Sequence, residues 1–100
     1  MSVRRLTEGI PLTSRVRISE DVVFRDLQGE LVLLNLKTGV YFGLDPMGTR
    51  IWHLIQAHRS LKNVLDSLVE EYEVTDTRCE QDLLGFVAKL RDNSIIEVSD

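Results

Sequence analysis

One hundred residues, 43% of them hydrophobic, supply one modest core and therefore one small domain. A net charge of −4 argues against the clustered Lys and Arg that nucleic acid and anionic membranes demand, and the single cysteine, Cys79, excludes an internal disulfide and a cysteine-based metal framework. No stretch approaches the roughly 20 apolar residues that cross a bilayer, so a soluble, cytoplasmic protein is expected.

Residues 1–14 mix Arg4, Arg5, Glu8, Gly9 and Pro11 with isolated apolar residues and lack the apolar run of a signal peptide. They read as a flexible arm ahead of a domain spanning 15–100. A lead-in strand at 16–18 precedes strands at 22–27 and 30–36, which Gln28-Gly29 separates as a tight turn with positive φ at the glycine. Leu31, Val32, Leu33, Leu34 and Leu36 make the second of these apolar on both faces, as in a strand covered on both sides or nearly so. Lys37-Thr38-Gly39 then forms a hairpin loop with Gly39 left-handed, leading to a third strand at 40–44. There Val40, Phe42 and Leu44 alternate with Tyr41 and Gly43. In a simple meander this strand has one free edge, without the charge or proline that usually blunts one, and Gly43 lets a second backbone come close. The competing reading is a short, harmless edge or one covered by the arm.

At Asp45 the hydrophobic period changes from two to about 3.6. Asp45 suits an N-cap and Pro46 the first helical position, and Ile51, Leu54 and Ile55 form one stripe with Met47 below it and Trp52 at its margin. Ser60 opens a second helix with an apolar face of Leu61, Val64, Leu65, Leu68, Val69 and Tyr72, while Glu70, Glu71 and Glu73 oppose the dipole at its end and predict fraying. Thr77 and Glu80 match a capping box for a third helix. Its core stripe is Cys79, Leu83, Phe86, Val87 and Leu90, and a second flank holds Leu84, Ala88 and Arg91. One stripe is enough to dock a helix, so the second flank suggests a groove. Asn93 suits a left-handed cap, and the apolar tail at 95–98 packs back. The fold class is α+β: a three-stranded antiparallel sheet followed by three helices.

Catalytic chemistry is absent from the pattern. His53 and His58 are five apart, off one helical face, and Cys79 brings no third ligand. Gly39, Gly43 and Gly48 do not form a phosphate loop, and no carboxylate pair stands out. Neither an enzyme nor a cofactor is expected. Two binding modes remain: a winged helix reading DNA through its third helix, disfavoured because Arg78, Lys89 and Arg91 are balanced by Glu80, Asp82 and Asp92, and addition of an extended peptide to the free strand edge.

Four motifs follow in order: Gly-x-Tyr-Phe-x-Leu at 39–44, Pro-x-Gly-x-x-Ile-Trp at 46–52, Leu-x-x-Leu-x-x-x-Tyr at 65–72 and Asp-Leu-x-x-Phe-x-x-x-Leu at 82–90. Together they resemble the PqqD family of pyrroloquinoline quinone biosynthesis and the peptide-recognition domains related to it. Ser94 departs from the glycine the family commonly has after the last helix. The resemblance implies a winged helix-turn-helix-like, non-catalytic peptide chaperone. It would hold the leader segment of a ribosomally made precursor for a modifying enzyme, such as a radical SAM protein or a leader peptidase. The leader is expected beside the third strand, along Val40, Tyr41, Phe42, Gly43 and Leu44, with Leu84, Val87, Ala88 and Arg91 as the opposing wall. Quinone and lasso peptide pathways both stay open, and a homodimer through a strand edge would compete for the same backbone groups.

Overall fold

Local chemistry sets both turns of the main sheet. In the computed structural model, which describes residues 10–72 and 76–99, Gln28 and Gly29 are both left-handed, at φ 58° and 89°. This two-residue connection matches strand twist, and the Asp26 carboxylate accepts the Gly29 N–H at 3.0 Å. It joins β2 (Val22–Leu27) to β3 (Glu30–Asn35), and Gly39, at φ 79°, closes the loop to β4 (Tyr41–Leu44). Asn35 braces that loop by accepting the N–H groups of Lys37 and Thr38 at 2.9 and 3.1 Å.

The three strands pair antiparallel in the order β2-β3-β4. Leu31, Leu33 and Leu44 are buried on one face, where Phe24 meets Trp52 edge-on at 5.9 Å. The other face is open, with Val23, Leu27 and Tyr41 exposed and Val32 and Leu34 partly so. The expectation that β3 is covered on both sides is therefore corrected: the helices collect on the inner face alone.

Those helices are α1 (Pro46–His58), α2 (Leu61–Tyr72) and α3 (Asp76–Asp92). Asp45 caps α1 as anticipated, its carboxylate accepting the Gly48 N–H at 2.7 Å, with Pro46 in the first turn. Left-handed Arg59 ends it, donating to the Ile55 carbonyl at 2.9 Å. Trp52, Ile55, Leu61, Val64 and Leu83 fill the centre, and Cys79 is buried as expected. α2 remains helical through Tyr72, and Glu71 is held by Arg50 at 2.9 Å; Glu73 lies outside the described residues. α3 starts at Asp76, so Thr77 sits within the first turn instead of capping it. At the far end Ser94, not Asn93, is left-handed, at φ 62°, while the Asn93 amide donates to the Lys89 carbonyl at 2.8 Å.

A second sheet extends the simple order of strands then helices. The lead-in strand β1 (Arg15–Ile18) pairs antiparallel with the tail, β5 (Ile96–Ser99). Burial of Val16, Ile95 and Ile96 draws the tail inward, and the Val16 N–H donates to the Arg59 carbonyl at 2.7 Å. Of the expected arm, Ile10 and Ser14 are buried and Leu12 packs on the core; residues 1–9 lie outside the described residues. Among the described residues no helix is long and apolar enough to cross a membrane.

Candidate functional site

The β3–β4 ladder determines what β4 offers at its edge. The Asn35 N–H donates to the Val40 carbonyl at 2.9 Å, and bonding in an antiparallel pair alternates by two residues. Leu33↔Phe42 and Leu31↔Leu44 are therefore the inward-bonding positions, and the main-chain groups of Tyr41 and Gly43 point to the open edge. Thr49 bridges the last rung: its hydroxyl accepts the Leu31 N–H at 3.2 Å and donates to the Leu44 carbonyl at 3.5 Å. Phe42 and Leu44 turn their side chains inward, whereas Tyr41, 70% exposed, faces out. A Cβ built on Gly43 would meet nothing within 4 Å.

Facing this edge is α3. A cleft of about 240 Å³ separates Phe42, Gly43, Leu44 and Asp45 from Phe86, Lys89 and Leu90. The Lys89 ammonium lies 5.8 Å from the Phe42 ring centroid, within cation–π range. Phe86 leans on the start of α1, where a Cβ on Gly48 would come within 3.3 Å of its ring and 3.2 Å of the Asp45 carboxylate. The missing side chain at Gly48 thus lets the Phe86 ring pack against α1. The cleft has an apolar floor, a cation beside Phe42 and a carboxylate past Leu44. An extended chain placed there finds two residues' worth of backbone partners and an apolar wall for side chains lying opposite Phe42 and Leu44.

Of the anticipated site residues, Tyr41, Phe42, Gly43 and Leu44 form the edge strand itself, and half-buried Val40 precedes it. The residues anticipated as the opposing wall do not line this cleft. Val87 and Ala88, 0% and 5% exposed, belong to the core and offer the cleft almost no side-chain surface. Leu84 packs partly buried against the core, and Arg91 lines a separate cavity with Lys37, Thr38 and Ser94, past the β3–β4 loop. Leu84 and Lys89 are five residues apart, about 140° around a helix, so they cannot share the cleft. On α3 the cleft is lined by Phe86 and Lys89, with Leu90, 1% exposed, at its base. Leu90 belongs to the core and Phe86 packs against it, as their stripe predicts, and the signal that could have singled out this flank is the Phe86–Lys89 pair at i, i+3 on the margin of the stripe.

Among the described residues no cluster of His, Cys, Asp and Glu could hold a metal ion. The shifted ionisations are peripheral to the cleft: hydrogen bonds to Glu97 and Glu71 raise the pKa of the exposed guanidiniums of Arg17 and Arg50 above the usual value.

The sequence profile of the family described as coenzyme PQQ synthesis protein D (PqqD) matches residues 30–96. No curated protein matches the chain. Among solved structures, TbiB1 in complex with the TbiA(beta) leader peptide is 38% identical, with a TM-score of 0.77 over 81% of this chain and 94% of that one. A lasso peptide synthetase B1 complexed with the leader peptide is 25% identical, with a TM-score of 0.75 over 83% of this chain and 98% of that one.

Proposed function

The chain belongs to the PqqD family, and from that premise we propose that it captures the leader segment of a ribosomally made precursor peptide as a fourth strand on β4 and holds it for a modifying enzyme. The observation that carries this is the β4 edge, which has no strand partner among the described residues, opposite Phe86 and Lys89 of α3, in a chain similar to two proteins solved with leader peptides. Backbone pairing supplies affinity and the Phe42–Phe86 cleft selects side chains. The protein itself performs no chemistry; the reaction belongs to the partner. Similarity to lasso peptide synthetase components favours a lasso leader and a leader peptidase over a quinone precursor and a radical SAM enzyme. Work on newly made peptide fits the cytoplasm. A homodimer through β4 would occupy the same backbone groups, so the binding form is not paired through that edge.

The test is an NMR titration of the labelled protein with synthetic leader segments, using random duplex DNA as control. Shifts should centre on residues 41–44 and 86–90, and DNA binding should be weak with a shallow salt dependence, because few phosphates can be neutralised. Shifts with DNA alone, with a steep salt slope, would replace this reading with the winged-helix one.

A further inference from the structure

Past the Val40 end of β4 lies a second cavity of about 500 Å³, within the size range of ligand pockets. It is bounded by Lys37 and Thr38 of the β3–β4 loop, by Arg91 near the end of α3, and by Ile96 and Val98 of β5. The ladder phase decides what β5 offers to it. The Ser19 N–H donates to the Ile95 carbonyl at 3.0 Å, so by the two-residue alternation the main chains of Arg17 and Glu97 bond each other across the β1–β5 pair. The N–H and carbonyl groups of Ile96 and Val98 then point away from β1. Val16 shows the same phase on the other side, its N–H leaving the pair to reach Arg59. Among the described residues β5 has no second strand partner.

Resting on the reading that a peptide strand adds to β4, we infer that this cavity takes the flank of the same peptide that runs past Val40, with its main chain against β5 and one acidic side chain on Lys37. Continuity with the cleft identifies the occupant. Cleft and cavity are lined by consecutive residues of α3, Leu90 and Arg91, and by one hairpin, through Phe42 and Thr38. Extended chain advances about 3.3 Å per residue, so a peptide paired opposite Phe42 reaches Thr38 about four residues on. The free edge of β5 suits a peptide, whereas a small anion would leave its backbone groups bare.

Charge selects the side chain. Asp45 borders the Leu44 end of the path, Lys89 its middle and Lys37 its Val40 end. Glu97 is held by Arg17, and Arg91 by Asp92 at 3.3 Å, while Lys37 has no ion pair among the described residues. Asp21 in the same lining repels a second carboxylate, so a single acidic residue is favoured over an acidic run. The polarity of the path has a use. An incoming strand can pair with an edge in either direction, and a carboxylate at one end with a cation at the other makes the two directions unequal. The acidic flank goes to Val40, which sets the end of the peptide that faces the enzyme.

The test uses labelled protein and the synthetic TbiA(beta) leader peptide, amidated at its C-terminus so that side chains supply the only carboxylates, with each Asp or Glu replaced in turn by Asn or Gln. Amide signals of Lys37, Thr38, Ile96 and Val98 should shift together with those of β4. One replacement outside the paired segment should weaken binding about threefold, the scale of an exposed ion pair. Lys37→Gln keeps the main-chain N–H that Asn35 accepts and lies on an exposed loop, so the fold is retained. It should cost the unmodified peptide the same threefold and the replaced peptide nothing further. Shifts confined to the cleft, no loss with any replacement, or equal losses from Lys37→Gln for both peptides overturn the flank site and leave strand addition standing. Silence at cleft and cavity alike overturns the strand-addition reading and the flank site with it.

Discussion

Asn35 shows how one side chain joins parts of the chain far apart in sequence. Its oxygen braces the loop into β4 and its amide donates to the Ser94 carbonyl at 2.7 Å, so the loop beside the candidate site is tied to the end of α3. Ser94 occupies a left-handed conformation that costs a residue with a Cβ about 1–2 kcal/mol. Ser94→Gly is therefore predicted to stabilise the protein by about 0.5–1 kcal/mol after the greater freedom of the unfolded glycine is subtracted. Urea denaturation should show a higher midpoint at unchanged slope; an unchanged or lower midpoint would mean that the serine is not strained there. Asp45 and Pro46 were legible because a helix start is a local event. The left-handed position was placed at Asn93 because its true location depends on the Asn35 tie and on the Ile95 N–H reaching the Leu90 carbonyl at 2.9 Å, neither of which a helical pattern reveals.

At the scale of elements, the change of period at Asp45 and the two turns gave the three strands and three helices almost in place. The side of α3 that faces β4 was not legible. Both flanks of a core stripe look alike in sequence, and only the way α3 lies across the sheet decides which one borders the cleft. The β4 edge permits a sharp test of strand addition. The Gly43 N–H points away from β3, so Gly43→Pro removes a donor for an incoming strand without breaking the existing ladder, and edge strands tolerate proline. Loss of one hydrogen bond, about 0.5–1.5 kcal/mol, should weaken leader binding by roughly three- to tenfold in calorimetry with little change in the unfolding midpoint. Unaltered affinity would show that the peptide does not pair along β4.

At the scale of the whole molecule, a chain of this length has little stability to spare, and the β1–β5 pair secures it. Ile95 and Ile96 are both buried, and each such side chain contributes about 1.5–3 kcal/mol. A chain ending at Ser94 is predicted to lose about 3–6 kcal/mol on that scale, a large share of the roughly 5–15 kcal/mol typical of a domain. Chemical denaturation of the shortened chain is the measurement, and a retained midpoint would show the second sheet to be ornamental. The sequence marks 16–18 as a strand and 95–98 only as a tail that packs back; their partnership spans nearly the whole chain, and no local pattern encodes such a distance.

The same pairing has an architectural consequence. Arg15 lies across from Ser99 and also bridges to Ser60, so β1 and β5 meet at the far end of α1. That helix has 13 residues and is about 20 Å long, and the cleft opens at its other end. The seam between β1 and β5 thus lies at one end of α1 and the candidate cleft at the other.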